Sequence, residues 1–157
     1  MRTYEGSFDA RGLRIAIVAS RFNETISRRL VEGALDCLKR HGTSDDSLTV
    51  TWVPGAYELP AAARRWASSG MVDAVIAIGV VIRGETPHFD YVAGGAAQGI
   101  TAAANDTGIP IAFGVLTTDT TDQAEARAGG KAGNKGFEAA LAAIEMANLF
   151  AELPKEL

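Results

Sequence analysis

Cysteine is nearly absent from this chain: Cys37 is the only one among 157 residues. A single cysteine excludes an internal disulfide and fits a reducing compartment. It falls in a helical pattern and reads as a small core residue, with a nucleophile as the open alternative. Only His41 and His88 supply imidazole, so no Cys/His metal-ligand spacing exists and neither a metal nor a cofactor is expected. There is no basic block, and the net charge is −4. That argues against a nucleic-acid binder that works by neutralising phosphates. No apolar run approaches the length needed to cross a bilayer, and none follows Met1 as a secretory leader would. The expectation is no membrane association and a cytoplasmic location. Familiar fingerprints are missing too. Gly94-Gly95-Ala96-Ala97-Gln98-Gly99 lacks the dinucleotide spacing, Gly129 to Gly136 lacks the P-loop spacing, and there is no G-x-S-x-G elbow.

What is present is an ordinary globular composition, 47% hydrophobic and 22% charged. The length suits one domain over residues 1–157 that buries about two thirds of its unfolded surface. Residues 1–12 read as a polar arm that packs on a neighbouring subunit. Apolar runs at Leu13–Ala19, Leu48–Val53, Asp73–Ile82 and Ile111–Leu116 read as strands, the second alternating enough to be an edge. Between them, Ile26, Leu30, Ala34 and Leu38 mark one helical face, with Asn23 as N-cap and Gly42 as stop. His41, in the last turn of that helix, reads as a surface residue favoured by the helix dipole. Pro60 is tolerable only in the first turn of a second helix ending at Ser68. A third helix runs from Phe89 to Asn105. Its Gly94, Gly95 and Gly99 each cost roughly 1 kcal/mol against alanine, which suggests a closely approaching backbone, within the chain or across a subunit contact. A short helix over Gln123–Arg127 and a last one from Phe137 to Glu152 follow, the last with Leu141, Ile144, Ala147 and Leu149 as its buried stripe. Four strands alternating with helices over short connections predict a doubly wound α/β sandwich on a parallel sheet.

The residues that such a core does not need all fall after strands, where an open parallel sheet binds ligands. Arg83, Glu85, Thr86, His88 and Asp90 crowd one short loop, with Gly84 and Pro87 shaping it. A solvated loop is the bland alternative, but acid, base, guanidinium and hydroxyl groups converge there. Phe22 is an aromatic ring in a loop, either a staple onto the next helix or a stacking platform for a planar ligand. Glu58 either complements a helix dipole or is a buried acceptor for a polyol. Val80, Val81 and Ile82 offer an apolar wall and backbone groups for a ring's edge. Thr86 and backbone N–H groups near Glu85 suit a phosphate, with Arg127 as the remote cation, although Arg127 could equally be a helix C-terminal charge.

These residues stand in motifs that resemble the lumazine synthase family (6,7-dimethyl-8-ribityllumazine synthase). The resemblance is carried by Arg21-Phe22-Asn23, Pro54-Gly55-Ala56-Tyr57-Glu58 and the run Gly79 to Val92. It continues through Phe113 to Thr118, Asp122 to Gly129, and Lys131-Ala132-Gly133-Asn134-Lys135-Gly136, in order along nearly the whole chain. It implies a flavodoxin-like three-layer α/β/α sandwich with a four-stranded parallel sheet. It also implies the penultimate step of riboflavin synthesis, in which 5-amino-6-(D-ribitylamino)uracil condenses with 3,4-dihydroxy-2-butanone 4-phosphate. The products are 6,7-dimethyl-8-ribityllumazine, phosphate and water. By motif, Phe22 would stack on the pyrimidine, Ala56, Tyr57 and Glu58 would hold the ribityl chain, and Val80 to Ile82 would read the heterocycle. Glu85, Thr86 and Arg127 would bind the phosphate, and His88 would move protons. Phe113 of an adjacent subunit would complete the site, and Lys135 matches the family's Lys-Gly pair. The resemblance further implies a homo-oligomer: a pentamer, in shell-forming members a sixty-subunit icosahedral capsid, with sites at subunit interfaces and a riboflavin synthase as one enclosed partner. The short Gly129–Gly136 turn resembles the shell formers. Tyr57 stands where phenylalanine is frequent.

The chemistry needs little from the protein. An amine attacks a ketone unaided, so no metal or protein nucleophile is required, and protons move at every later step. An unperturbed imidazole titrates at about pH 6.5 and can both take and give them. The larger service is holding two reactants in one orientation. Rival readings are a non-catalytic module that holds a flavin or lumazine, a shell-forming container, and a riboflavin synthase that dismutates two lumazines.

Overall fold

The apolar run after Asp73 becomes the middle of the molecule. A computed structural model describes residues 1–155; the last two positions of the expected domain lie outside the described residues. The elements follow in the order β1 (Ile15–Ser20), α1 (Glu24–Arg40), β2 (Leu48–Val53), α2 (Leu59–Ala67), β3 (Ala74–Ile82) and α3 (His88–Thr107). Then come β4 (Ile111–Thr118), α4 (Thr121–Ala126), β5 (Ala128–Gly130), β6 (Gly133–Asn134) and α5 (Lys135–Glu152).

The main sheet is parallel, in the order β2-β1-β3-β4. Both central strands are buried: β1 along its whole length and β3 up to its last residue. That is why they carry unbroken Ile/Val/Ala runs, whereas the edge strand β2 alternates. Helices α1 and α5 pack on one face and α2 and α3 on the other, with a separate apolar core under each pair. The fold is the flavodoxin-like three-layer sandwich, with its topological switch point between β1 and β3.

Several local expectations need correction. The strand β4 runs on through Thr117 and Thr118, paired with Val81 and Ile82; these threonines are β-branched strand formers before they are cap residues. The cap of α4 is Thr120, in a reciprocal box with Gln123. The glycine-rich stretch after Arg127 is a small antiparallel hairpin of β5 and β6. Asn23 holds the N-cap position of α1 but does not cap with its side chain. Within the chain, two of the α3 glycines accommodate side chains instead of a backbone. A Cβ on Gly99 would lie 2.7 Å from the Pro60 ring, and one on Gly95 would lie 3.2 Å from Tyr57. Gly94 faces open space. The buried stripe of α5 is mostly alanine and glycine, Gly136, Ala139, Ala140, Ala143, Ile144 and Ala147, because α1 lies very close. Leu141 and Leu149 are only partly covered.

The arm is partly held by its own protomer: Asn148 of α5 donates to the carbonyls of Ser7 at 2.8 Å and Asp9 at 2.9 Å. Cys37 is fully buried in the α1 core, and burial, with Asp36 adding to it, pushes its thiol up to about 11. It is a core residue with no nucleophilic thiolate at neutral pH. His41 is half-buried, its Nδ1–H donating to the Cys37 carbonyl at 2.6 Å.

Candidate active site

A cavity of about 430 Å³ opens at the carboxyl ends of β1, β2 and β3. The position follows from strand lengths. β1 pairs with β3 only from Ile15–Ala74 to Ala19–Ile78, while β3 runs on to Ile82 beside β4. The edge of Val80–Ile82 that faces β1 therefore has backbone groups without a strand partner. Asn23 uses one of them, its Nδ2 lying 3.5 Å from the Val80 carbonyl. To reach it, Asn23 adopts the left-handed region, φ 60° and ψ 48°, the one positive φ outside glycine among the described residues. Backbone strain at a cavity wall is a common mark of function.

Three strand exits supply the lining. After β1 come Phe22 and Asn23, after β2 the turn Pro54 to Glu58, and from β3 onward Val80, Val81, Ile82, Gly84, Thr86, His88, Phe89 and Val92. Phe22 is 72% exposed and Tyr57 65%. A staple from Phe22 would have to meet the fourth residue of α1, which is Ser27, so the ring has no apolar partner there. Two bare aromatic rings flanking an apolar wall suit a flat heterocycle. The turn after β2 is a single 3-10 turn, Ala56–Glu58. It is closed by the Gly55 N–H donating to Glu58 Oε2 at 2.9 Å. Glu58 is exposed, not buried as a polyol acceptor was expected to be.

His88 is the first residue of α3, directly after Pro87. It is exposed at the mouth of the cavity. Arg83 lies beside it in the chain as a fixed cation. The Nε of Arg83 donates to Asp119 at 2.9 Å, and Nη1 lies 3.5 Å from Asp90. The hydrogen bond to Asp119 raises the Arg83 pKa, against the effect of burial.

Phe22, Ala56, Tyr57, Glu58, Val80, Val81, Ile82, Thr86 and His88 thus gather around one space. Glu85 is exposed next to it and is not part of the lining, whereas its neighbours Gly84 and Thr86 are. Three expected residues stand elsewhere. Phe113 is on the edge strand β4, opposite Ala77 and 38% exposed. Arg127 caps α4, its Nη1 donating to the Gln123 carbonyl at 3.0 Å. With Lys135, Glu138, Thr117 and Thr118 it borders a second cavity of about 430 Å³. Lys135 opens α5, where a cation opposes the helix dipole, and that cost is unexplained by folding. Two cations and a helix N-terminus favour an anion in this second space, and the Glu138 carboxylate in the same lining opposes one.

Sequence reasoning passed over Asn23, Phe89 and Val92 as wall residues. The signal for Asn23 was its place beside an exposed ring at a strand exit; Phe89 and Val92 look like any helix residues facing a core.

Across residues 12–151 the chain matches the family model described as 6,7-dimethyl-8-ribityllumazine synthase.

Proposed function

The chain belongs to the 6,7-dimethyl-8-ribityllumazine synthase family, transferases of riboflavin biosynthesis that act on small molecules as oligomers, and on that premise we propose how its cavity works. It holds 5-amino-6-(D-ribitylamino)uracil and condenses it with 3,4-dihydroxy-2-butanone 4-phosphate, releasing the lumazine, phosphate and water. The observation that carries this reading is the open edge of Val80–Ile82 between two bare rings, with His88 at the cavity mouth. The pyrimidine stacks on Phe22 and pairs with the β3 backbone. The ribityl chain follows the Ala56–Glu58 turn, and Glu58 accepts from its hydroxyls. The phosphate compound lies toward Thr86 and the backbone at Glu85.

The cations for that phosphate, Arg127 and Lys135, come from a second copy of the chain, as does Phe113. Their position around a separate space in the single chain supports this, and so does the assembly of the family. A pentamer, or a sixty-subunit shell with an enclosed partner enzyme, is the arrangement the short hairpin after Arg127 favours. Once the amine has attacked the ketone, His88 takes and returns the protons that accompany imine formation, loss of phosphate and ring closure.

The test is direct. Purified protein is mixed with both substrates, and lumazine absorbance is followed together with free phosphate. The two should appear in step. A protein that binds the lumazine and forms none would instead be a holding module.

Arg127→Ala should weaken capture of the phosphate compound by about 10- to 100-fold, the loss of a charge-assisted fork, while leaving pyrimidine binding nearly unchanged. Calorimetry on each ligand separates the two; equal losses for both would refute the assignment.

A further inference from the structure

Arg83 touches more elements than any other cation near the cavity. Its backbone N–H donates to the Thr118 carbonyl at 2.8 Å, continuing the β3–β4 ladder. Its Nε reaches Asp119, in the loop that leaves β4, at 2.9 Å. Its Nη1 lies 3.5 Å from Asp90, and its guanidinium stacks 4.3 Å from the centroid of the Phe89 ring. Phe89 and Asp90 are the two residues that follow His88 in the first turn of α3.

Apart from Arg83, that turn is held by Phe89 packing against the core and by the Asp90 N–H donating to the Pro87 carbonyl at 3.0 Å. Pro87 occupies the N-cap and supplies no side-chain hydrogen bond to the exposed N–H groups. A Cβ built on Gly84, on the approach to the turn, would meet open space. The ion pairs themselves are solvent-exposed, with Arg83 46%, Asp90 62% and Asp119 67% exposed, and such pairs add little to fold stability. A planar guanidinium that stacks and forks at once does supply direction.

We propose that Arg83 is a positioning residue for the reaction: it clamps the first turn of α3 to the loop after β4 and so fixes where the His88 imidazole stands over the cavity. This rests on the reading above, in which His88 transfers protons there. The pyrimidine contacts at Phe22, Ala56–Glu58 and Val80–Ile82 lie outside α3, and the Arg83 side chain reaches away from them to Asp119, Asp90 and Phe89, so the clamp governs turnover and not pyrimidine capture.

The experiment is a double-mutant cycle on the full-length protein, with Arg83→Ala, Arg83→Lys, His88→Ala and the pair Arg83→Ala/His88→Ala. Steady-state kinetics and thermal unfolding are recorded for each. Misplacing a reacting group by about 1 Å costs on the order of 100-fold, so Arg83→Ala should lower kcat by about 10- to 100-fold. Its KM for the pyrimidine should stay within roughly twofold, because uniform binding is untouched. Arg83→Lys keeps the charge without the fork or the stacked plane and should recover part of kcat. In the His88→Ala background, Arg83→Ala should add nothing, because the group it positions is gone. A full Arg83→Ala effect in that background overturns the clamp, as does a wild-type kcat in Arg83→Ala. A loss of kcat matched by loss of folded protein in both Arg83 variants also overturns it, since that marks a merely structural role. Wild-type protein that makes no lumazine from the two substrates would instead overturn the underlying reading of the site.

Discussion

Replacing His88 with alanine is expected to slow lumazine formation by about 100-fold, the usual worth of one positioned acid–base group, yet leave it well above the rate of the free substrates. The reason lies in how little else the chemistry asks of the protein. The amine is already a nucleophile, and the imine, the leaving phosphate and the closing ring need proton transfers that water can supply more slowly. What water cannot supply is orientation. Two reactants gripped side by side gain effective concentrations of about 10⁵ M or more in favourable cases, and the residues proposed to grip them remain in the variant. The rings of Phe22 and Tyr57, the open edge of Val80–Ile82 and the turn at Ala56–Glu58 belong to other elements than α3. The variant should also lose whatever part of the pH–rate profile follows an imidazole. Stopped-flow absorbance with both substrates saturating measures this. A fall to the solution rate with both substrates still bound would show that His88 carries the catalysis alone.

The largest stability effect is expected at Gly136. A Cβ built there would collide with the Leu30 carbonyl of α1. At the same crossing a Cβ on Gly33 would collide with the amide of Asn134. That amide is held at both ends: Nδ2 donates to the Arg29 carbonyl at 3.1 Å, and Oδ1 accepts from the Gly136 N–H at 2.9 Å and from that of Phe137 at 3.1 Å. The obstacle at Gly136 is backbone, which cannot rotate away as a side chain can. Gly136→Ala should therefore cost about 3 kcal/mol, the upper range for overpacking a core. For a chain of this length the melting temperature falls by roughly 10 °C. Because the family works as oligomers, the comparison requires equal protein concentration. An unchanged melting temperature would mean that α1 and α5 can separate freely, and the tight crossing described here would be wrong. The same crossing carries the start of α5, so partial loss of Lys135 from its place should accompany the destabilisation.

The layered sheet was legible because burial on both faces leaves a plain trace: a run at Ala74–Ile82 with no polar residue and many β-branched ones, and a weaker, alternating one at the edge, Leu48–Val53. Residues whose chemistry has no use in a core were legible for the opposite reason. Phe22, Glu58, Thr86 and His88 are polar or aromatic at strand exits, and the fold brings them together. Other features left no such trace. Asn23 looks like an ordinary cap, and only tertiary contact with Val80 turns it away from its own helix. The α3 glycines signalled a close approach by a backbone, whereas within the chain Gly95 and Gly99 meet the side chains of Tyr57 and Pro60. The hairpin at Ala128–Asn134 hides among glycines that serve turns and strands alike. Phe113, Arg127 and Lys135 pose a different difficulty. Periodicity in one chain describes how that chain covers its own core; it carries no signal for which residues meet across a boundary between copies. The motif alone grouped them with the cavity; within a single chain Arg127 and Lys135 stand around another space, and Phe113 lies on the edge strand β4 away from both.

That division makes the site's composition the central claim: one half comes from the strand exits of a protomer, the other from Phe113, Arg127 and Lys135 of a second copy. Mixed oligomers measure it most directly. His88→Ala and Arg127→Ala proteins are unfolded together, reassembled, and assayed at a limiting concentration of the phosphate compound. Each parent alone should be slow. The mixture should regain activity far above either, because some cavities receive an intact His88 from one chain and an intact Arg127 from the other. If the mixture shows only the average of its parents while wild-type protein carried through the same procedure recovers fully, the two halves belong to one chain and the shared site is wrong.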